Sequence, residues 1–341
     1  MTNMSKKIYR IAVIGAGAAA ALHARAIKEL ENAELIAVCD TFPRAADRFA
    51  GANDCRAYYE LSRLLTEEKP DVAILSVPVF LHAEYAEACA KAGVHVLCEK
   101  PIEMDAERAL RLIEARDRYG IRMMIGHVVR FWPGYAEAKE MADRGELGEI
   151  LSVNFSRASQ VPARGGWILD PQKGRGAIQD MLIHDTDFLH YLLGDVSSVY
   201  TLAAKDDTGC FDHVTTNLRF KSGTAASAQA DFTLKDNGYP FTTRYRICGT
   251  KATLEYFYRA AVLDIQAGPQ AEWFICRKGG QPEALPLPER NAYAAQLAYF
   301  LSCIEEGKDP VLCSPESARE SIHILDMIRA SAESGEIVRE D

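Results

Sequence analysis

The rhythm of hydrophobic and polar positions changes once along this chain. Through residue 127, short apolar runs end in small or polar residues, and amphipathic stretches follow them. "RIAVIGAG" reads as a strand and "AAAALHARAIKEL" as a helix. "AELIAVCD" is a second strand and "DVAILSVP" a third, followed by the helix "HAEYAEACAKAG". "VHVLCEKP" is a strand, "DAERALRLIEARDRYG" a helix and "IRMMIGH" another strand. Repeated βαβ units predict a parallel, doubly wound sheet with right-handed crossovers.

Near residue 150 the pattern turns β-rich. "EILSVNFSRAS", "VSSVYTLAAK", "HVTTNLRF", "TAASAQADFTL", "TTRYRICG", "ATLEYF", "AVLDIQA" and "EWFICRK" read as strands. Several alternate with period two, as a sheet with one open face does. One helix interrupts them, "GRGAIQDMLIHDTDFLHYLLG", residues 174–194. Ile178, Met181, Leu182, Leu189, Leu192 and Leu193 mark it for burial, yet Asp180 and His184, four apart, leave from one face. Asp187 and His190 on the same helix read as structural. Two amphipathic helices close the chain, about 290–334, and are expected to pack back on the first domain. The predicted fold class is therefore α/β plus α+β. Residues 1–127 form a domain on a parallel sheet, and residues 128–341 one on an open, mostly antiparallel sheet.

Composition narrows the function. At 341 residues the chain suits two domains of ordinary size. A net charge of −9 with no Lys/Arg block argues against nucleic acid or an anionic membrane as partner. No apolar run approaches the roughly 20 residues a membrane helix needs. The opening "MTNMSKKIYRIAVIGAG" reads as a strand entering a glycine turn rather than a signal peptide. The nine cysteines form no CxxC pair, and Cys39, Cys89 and Cys98 lie within or beside apolar segments. That usage suits a reducing compartment, so a cytoplasmic enzyme is expected. No His/Cys cluster has zinc-ligand spacing, so no metal is expected.

Two constellations carry chemistry. "GAGAAA" places Gly15, Gly17 and Ala20 in a GxGxx[GA] arrangement after a strand and at the start of a helix. Gly15 permits the tight turn, Gly17 lets backbone approach a pyrophosphate, and Ala20 keeps the helix close to the sheet. Asp40 ends the next strand, 23 residues beyond Gly17, where a carboxylate binds ribose hydroxyls. It should repel a 2′-phosphate, so NAD is expected over NADP; Arg44 either blurs that preference or stacks on adenine. Ala19 belongs to the same turn. The second constellation is "CEKP", with Glu99 and Lys100 at a strand's carboxyl end, where ligands of such sheets bind. Pro101 biases Lys100 toward an extended conformation. Ser76, Pro78 and His82 end the preceding strand in the same way and are expected beside the cofactor with Glu99 and Lys100.

Nearly all of the chain resembles the glucose–fructose oxidoreductase, inositol dehydrogenase and rhizopine-catabolism (Gfo/Idh/MocA) family. "VIGAGAAA", "HVLCEKP", "GHVVRFWPGY", "GRGAIQDMLIHDTDFLHYLLG", "CGTKATLEY" and "SGEIV" carry the resemblance, in family order. It implies a Rossmann domain followed by a sheet domain that binds substrate and oligomerises. It also implies Lys100 as catalytic lysine and Asp180 and His184 as the acid and histidine facing the nicotinamide. A homodimer or homotetramer is a further implication. Arg175 departs from the family, replacing the middle of three glycines, and His127 stands where another polar residue is common. Both are expected at the edge of the substrate pocket, so substrate identity does not transfer.

The resulting expectation is an NAD-dependent dehydrogenase of a cyclic polyol or sugar. His184 takes the hydroxyl proton, Asp180 orients substrate or tunes charge, and Lys100 stabilises the developing negative charge. The alternative makes Lys100 the base, its pKa lowered by desolvation and the nicotinium charge. The loop 159–174 mixes Arg164, Trp167, Asp170, Gln172 and Lys173, and Trp167 is expected to stack on a sugar or border the cofactor. Arg130 either touches a ligand or holds the domain junction. Two competing functions share the fold: redox-neutral hydrolysis or elimination through transient ring oxidation, and a non-catalytic NAD-binding regulator. Retained Lys100, Asp180 and His184 argue against the regulator.

Overall fold

The computed structural model describes residues 7–161, 166–233, 238–260 and 270–340. It divides into two units, residues 1–131 with 290–319 and residues 132–289 with 320–341.

The first unit opens with β1 (Tyr9–Ile14), α1 (Ala18–Lys28), β2 (Ala33–Cys39), α2 (Pro43–Asn53), β3 (Arg56–Tyr58) and α3 (Leu61–Glu68). It continues with β4 (Val72–Leu75), α4 (His82–Lys91), β5 (His95–Glu99), α5 (Ala106–Tyr119) and β6 (Met123–Gly126). The strands lie in the order β3-β2-β1-β4-β5-β6, every neighbouring pair parallel. That order reverses beside β1, the switch point where doubly wound sheets bind ligands. The central strands are covered on both faces, which is why they read as unbroken apolar runs.

The second unit begins with α6 (Tyr135–Asp143) and β7 (Ile150–Gln160). A π-helical turn over Ile178–Leu182 leads into α7 (Ile183–Leu193). Then come β8 (Val196–Lys205), β9 (Phe211–Phe220), β10 (Ala225–Thr233), β11 (Thr242–Gly249), β12 (Ala252–Arg259), β13 (Gln270–Arg277) and β14 (Pro282–Ala284). The chain ends with α8 (Ala292–Glu305), α9 (Pro315–Ser334) and β15 (Val338–Arg339). The sheet runs β14-β13-β12-β11-β7-β10-β9-β8-β15 and is antiparallel except for the β7–β10 pair. Burial alternates along β9 and β11, leaving one face open as the period-two pattern expects. The expected strand "AVLDIQA" lies outside the described residues.

Each unit has its own core. In the first, Ile11, Val13, Val72 and Ile74 meet Ala20, Ala24 and Ile27 of α1 and Leu297, Phe300 and Leu301 of α8. In the second, Tyr135 packs edge-on against Phe188 and Tyr245 at centroid distances of 5.1 and 5.0 Å.

The mid-chain helix departs from expectation at its start. Arg175 and Gly176 take positive φ of 59° and 69°, so the turn over 171–174 ends before Arg175, and winding begins at Gly176 and passes into a π-turn from Ile178. Glycine is needed at 174 because a side chain there would strike Trp167 O and Ile168 Cα. Ile178, Met181, Leu182 and Leu189 are buried, while Leu192 and Leu193 are half-buried.

Candidate active site

The glycine turn after β1 is shaped for a dinucleotide. Gly15 has φ +93°, and a Cβ there would lie 2.6 Å from Ser76 O, so no side chain fits. At Gly17, by contrast, a Cβ would meet nothing within 4 Å, which leaves room for a ligand against the backbone. Gly17 caps α1 without any side-chain bond, and the first turn holds no acidic residue. Its N–H groups therefore remain for an anion. Ala19 is half-buried there and Ala20 fully buried. The Asp40 carboxylate is fixed at the end of β2: Oδ2 accepts the Ala16 N–H and Oδ1 the Phe42 N–H, both at 2.8 Å. Arg44 is exposed, and Ser76 and Pro78 are half-buried. The Ser76 hydroxyl is buried and has no hydrogen-bond partner among the described residues. Open space against the Gly17 backbone, an uncapped helix end and an orphaned hydroxyl all fit a bound dinucleotide.

Lys100 follows β5, half-buried, and its peptide with Pro101 is cis. The flanking residues are tightly held. Glu99 is buried, with Oε1 2.7 Å from His23 Nε2 and Oε2 accepting the Lys100 N–H at 3.2 Å. Burial alone would raise the Glu99 carboxyl, but His23 and then Lys100 hold it below its usual range. An ionised carboxylate only accepts, so the proton between them sits on His23 Nε2.

His82 is also buried, its Nδ1 2.9 Å from Pro101 O and its Nε2 3.0 Å from Val77 O. Burial pushes this imidazole's pKa down, against the pull of those carbonyls. His127 is buried at the end of β6. The Arg130 guanidinium donates to Leu312 O and, at 2.8 Å, to Ser317 Oγ, within the same unit.

In the second unit, every residue from Gly176 to Leu189 is buried except Asp180 and His184, which are half-buried. Asp180 stands in the π-turn and His184 in the first turn of α7. Behind His184, Asp185 makes a two-pronged ion pair with Arg157 of β7. Asp187 accepts from Ser321 Oγ at 3.0 Å, and His190 Nδ1 lies 3.1 Å from Gly194 O.

Trp167 and Arg175 are half-buried on the segment 166–176. That segment folds on itself through Arg175 N–H to Asp170 O and Gly176 N–H to Ile168 O. Arg175 borders a cavity of about 320 Å³ with Gln172, Lys205 and Arg329. Arg164 lies outside the described residues.

His23, Arg157 and Asp212 escaped the sequence reading, though each left a signal. His23 breaks the alanine-rich helix "AAAALHARAIK". Arg157 shares the inward parity of Val153 and Phe155, and Asp212 that of Val214 and Thr216. An ionisable residue at an inward position of a one-sided sheet requires a buried partner.

Residues 9–127 match the family model of the oxidoreductase family with an NAD-binding Rossmann fold, and residues 135–255 match the Gfo/Idh/MocA C-terminal domain. The chain belongs to the Gfo/Idh/MocA family of oxidoreductases. It is 28% identical to an inositol 2-dehydrogenase of Rhizobium meliloti strain 1021, over 88% of this chain and 90% of that one. It is 26% identical to a 2,7-anhydro-N-acetylneuraminate hydratase of Escherichia coli K12, over 77% and 71% of the two chains. In fold it resembles the aldose-aldose oxidoreductase of Caulobacter crescentus, with TM-score 0.85, 23% identity and coverage of 98% and 100%.

Proposed function

We propose that this oxidoreductase oxidises a secondary ring hydroxyl of a cyclic polyol or sugar, with NAD as its hydride acceptor. The observation that carries this reading is the exposure pattern of residues 176–189, where only Asp180 and His184 open from a buried stretch. The inositol 2-dehydrogenase relative supports a polyol as substrate. Gly15, Gly17, Ala19 and the α1 N-terminus would hold the pyrophosphate, and Asp40 the adenosine ribose. Ser76, Pro78, Glu99 and Lys100 would border the nicotinamide end. Bound there, the dinucleotide supplies hydride transfer. Asp40 favours NAD, because its anchored carboxylate repels a 2′-phosphate.

The protein's own part is proton handling and alignment. His184 accepts the hydroxyl proton, since an imidazole titrates near neutral pH. Lys100 donates a hydrogen bond to the reacting oxygen and stabilises the charge that develops on it. Asp180 orients the substrate, and Trp167, Arg175 and His127 bear on its choice. The open sheet face alternates charge between Arg244 and Arg246 on β11 and Glu255 and Glu272 on β12 and β13. That pattern suits pairing of two copies about a two-fold axis. None of the nine cysteines is joined in a disulfide, which supports a cytoplasmic setting.

A second reading is a redox-neutral reaction in which transient ring oxidation acidifies a neighbouring C–H so that a substituent leaves. The hydratase relative favours it. One screen tests both: NAD with a panel of inositols and hexoses, followed by NADH absorbance and by product analysis. Net NADH selects the dehydrogenase; a cleaved or hydrated product without NADH selects the second reading.

A further inference from the structure

We propose that His23 is a positioning residue for Lys100, acting through Glu99; this rests on Lys100 being the catalytic lysine of the reading above. His23 lies on α1, the helix that opens at the glycine turn, and its Nε2 donates to Glu99 Oε1 at 2.7 Å. The other carboxylate oxygen accepts the backbone N–H of Lys100. His82 holds the far side, its ring against the carbonyls of Pro101 and Ile102. Lys100 is thus bracketed by two buried imidazoles, one acting on each flanking residue.

The pair has a site built around it. A Cβ on Gly126 would lie 3.2 Å from both Cα and Cδ of Glu99, so glycine in β6 makes room for the carboxylate. The Tyr293 ring meets His23 edge-on at 5.1 Å. Burying an imidazole and a carboxylate costs more than burying two apolar side chains of the same size. Packing alone would therefore be served better by leucines. What the polar pair adds is direction: the hydrogen bond fixes the carboxylate, and the carboxylate fixes where the chain leaves β5. The same link ties the helix that would cradle the pyrophosphate to the residue that would meet the substrate.

The test uses cofactor-free protein and amide hydrogen exchange resolved by NMR. His23→Leu should speed exchange of the Lys100 amide roughly tenfold, the loss of one hydrogen bond. The amides of Val96 and Leu97, earlier in β5, should keep their rates. His23→Gln places an N–H donor at a similar reach and should restore slow exchange at Lys100. An unchanged Lys100 amide in His23→Leu, or equal acceleration all along β5, overturns the proposal. A double-mutant cycle in kcat adds a second readout, with NAD and the polyol found in the screen. The loss caused by His23→Leu should vanish in a Lys100→Met background, whereas additive losses overturn the proposal. Absence of any oxidised polyol would count against the dehydrogenase reading, while the exchange comparison still decides the role of His23.

Discussion

Arg157 grips Asp185 through two hydrogen bonds of 2.7 and 3.2 Å, with both residues almost wholly buried. Arg157 stands on β7 and Asp185 follows His184 on α7, so the pair pins this helix to its sheet. Taking one partner away leaves an uncompensated buried charge. Asp185→Leu should therefore destabilise the protein by about 3–5 kcal/mol. Arg157→Met with Asp185→Leu should recover much of that loss, because an apolar pair removes both charges. Denaturant unfolding of the two single variants and the double variant checks this.

The turn at Gly15 admits no side chain. Gly15→Ala forces a Cβ against Ser76 O at a φ of +93°. It should cost at least about 1–3 kcal/mol of stability and abolish NAD binding, measured by thermal unfolding and by titration calorimetry with NAD.

On the proposed reading, Asp40 sets cofactor choice. The native protein should prefer NAD to NADP, and Asp40→Ser should narrow that preference by at least about tenfold, about 1.4 kcal/mol. The ratio of kcat/KM for the two cofactors reads it. A native preference for NADP would contradict the role given to this carboxylate.

Stability should depend on pH through Asp212. Burial, then the neighbouring Asp206, raise its carboxyl to about 6. The ordinary carboxyl value is about 3.9. Between those values the folded chain keeps a proton that the unfolded chain has released, so stability falls as pH rises across that window. Above it the penalty is complete. Asp212→Asn should melt higher than the native protein at neutral pH, with the gap closing as pH approaches 4, in thermal scans across pH.

Much of the architecture was legible because its signals are local. The apolar runs around Val13, Ile74 and Leu97 report strands covered on both faces, and the parity of Val214, Thr216 and Leu218 reports a sheet covered on one. The turn at Gly15 was legible because its positive φ and close backbone approach demand glycine. The start of the mid-chain helix was not, because Arg175 takes a left-handed conformation that sequence assigns to glycine. Partners far apart in sequence were also invisible. His23 meets Glu99 and Arg157 meets Asp185 only after strands and helices are placed. His82 carried no mark to show that its ring turns to the chain's own carbonyls.

In the proposed reaction, His184 handles the proton of a hydroxyl oxidised at the expense of NAD. The most direct test is turnover of His184→Ala on the substrate from the screen, beside its dissociation constant for NAD. If His184 is the base, kcat should fall roughly 10²–10⁴-fold with cofactor affinity unchanged. Turnover equal to that of the native protein would contradict it.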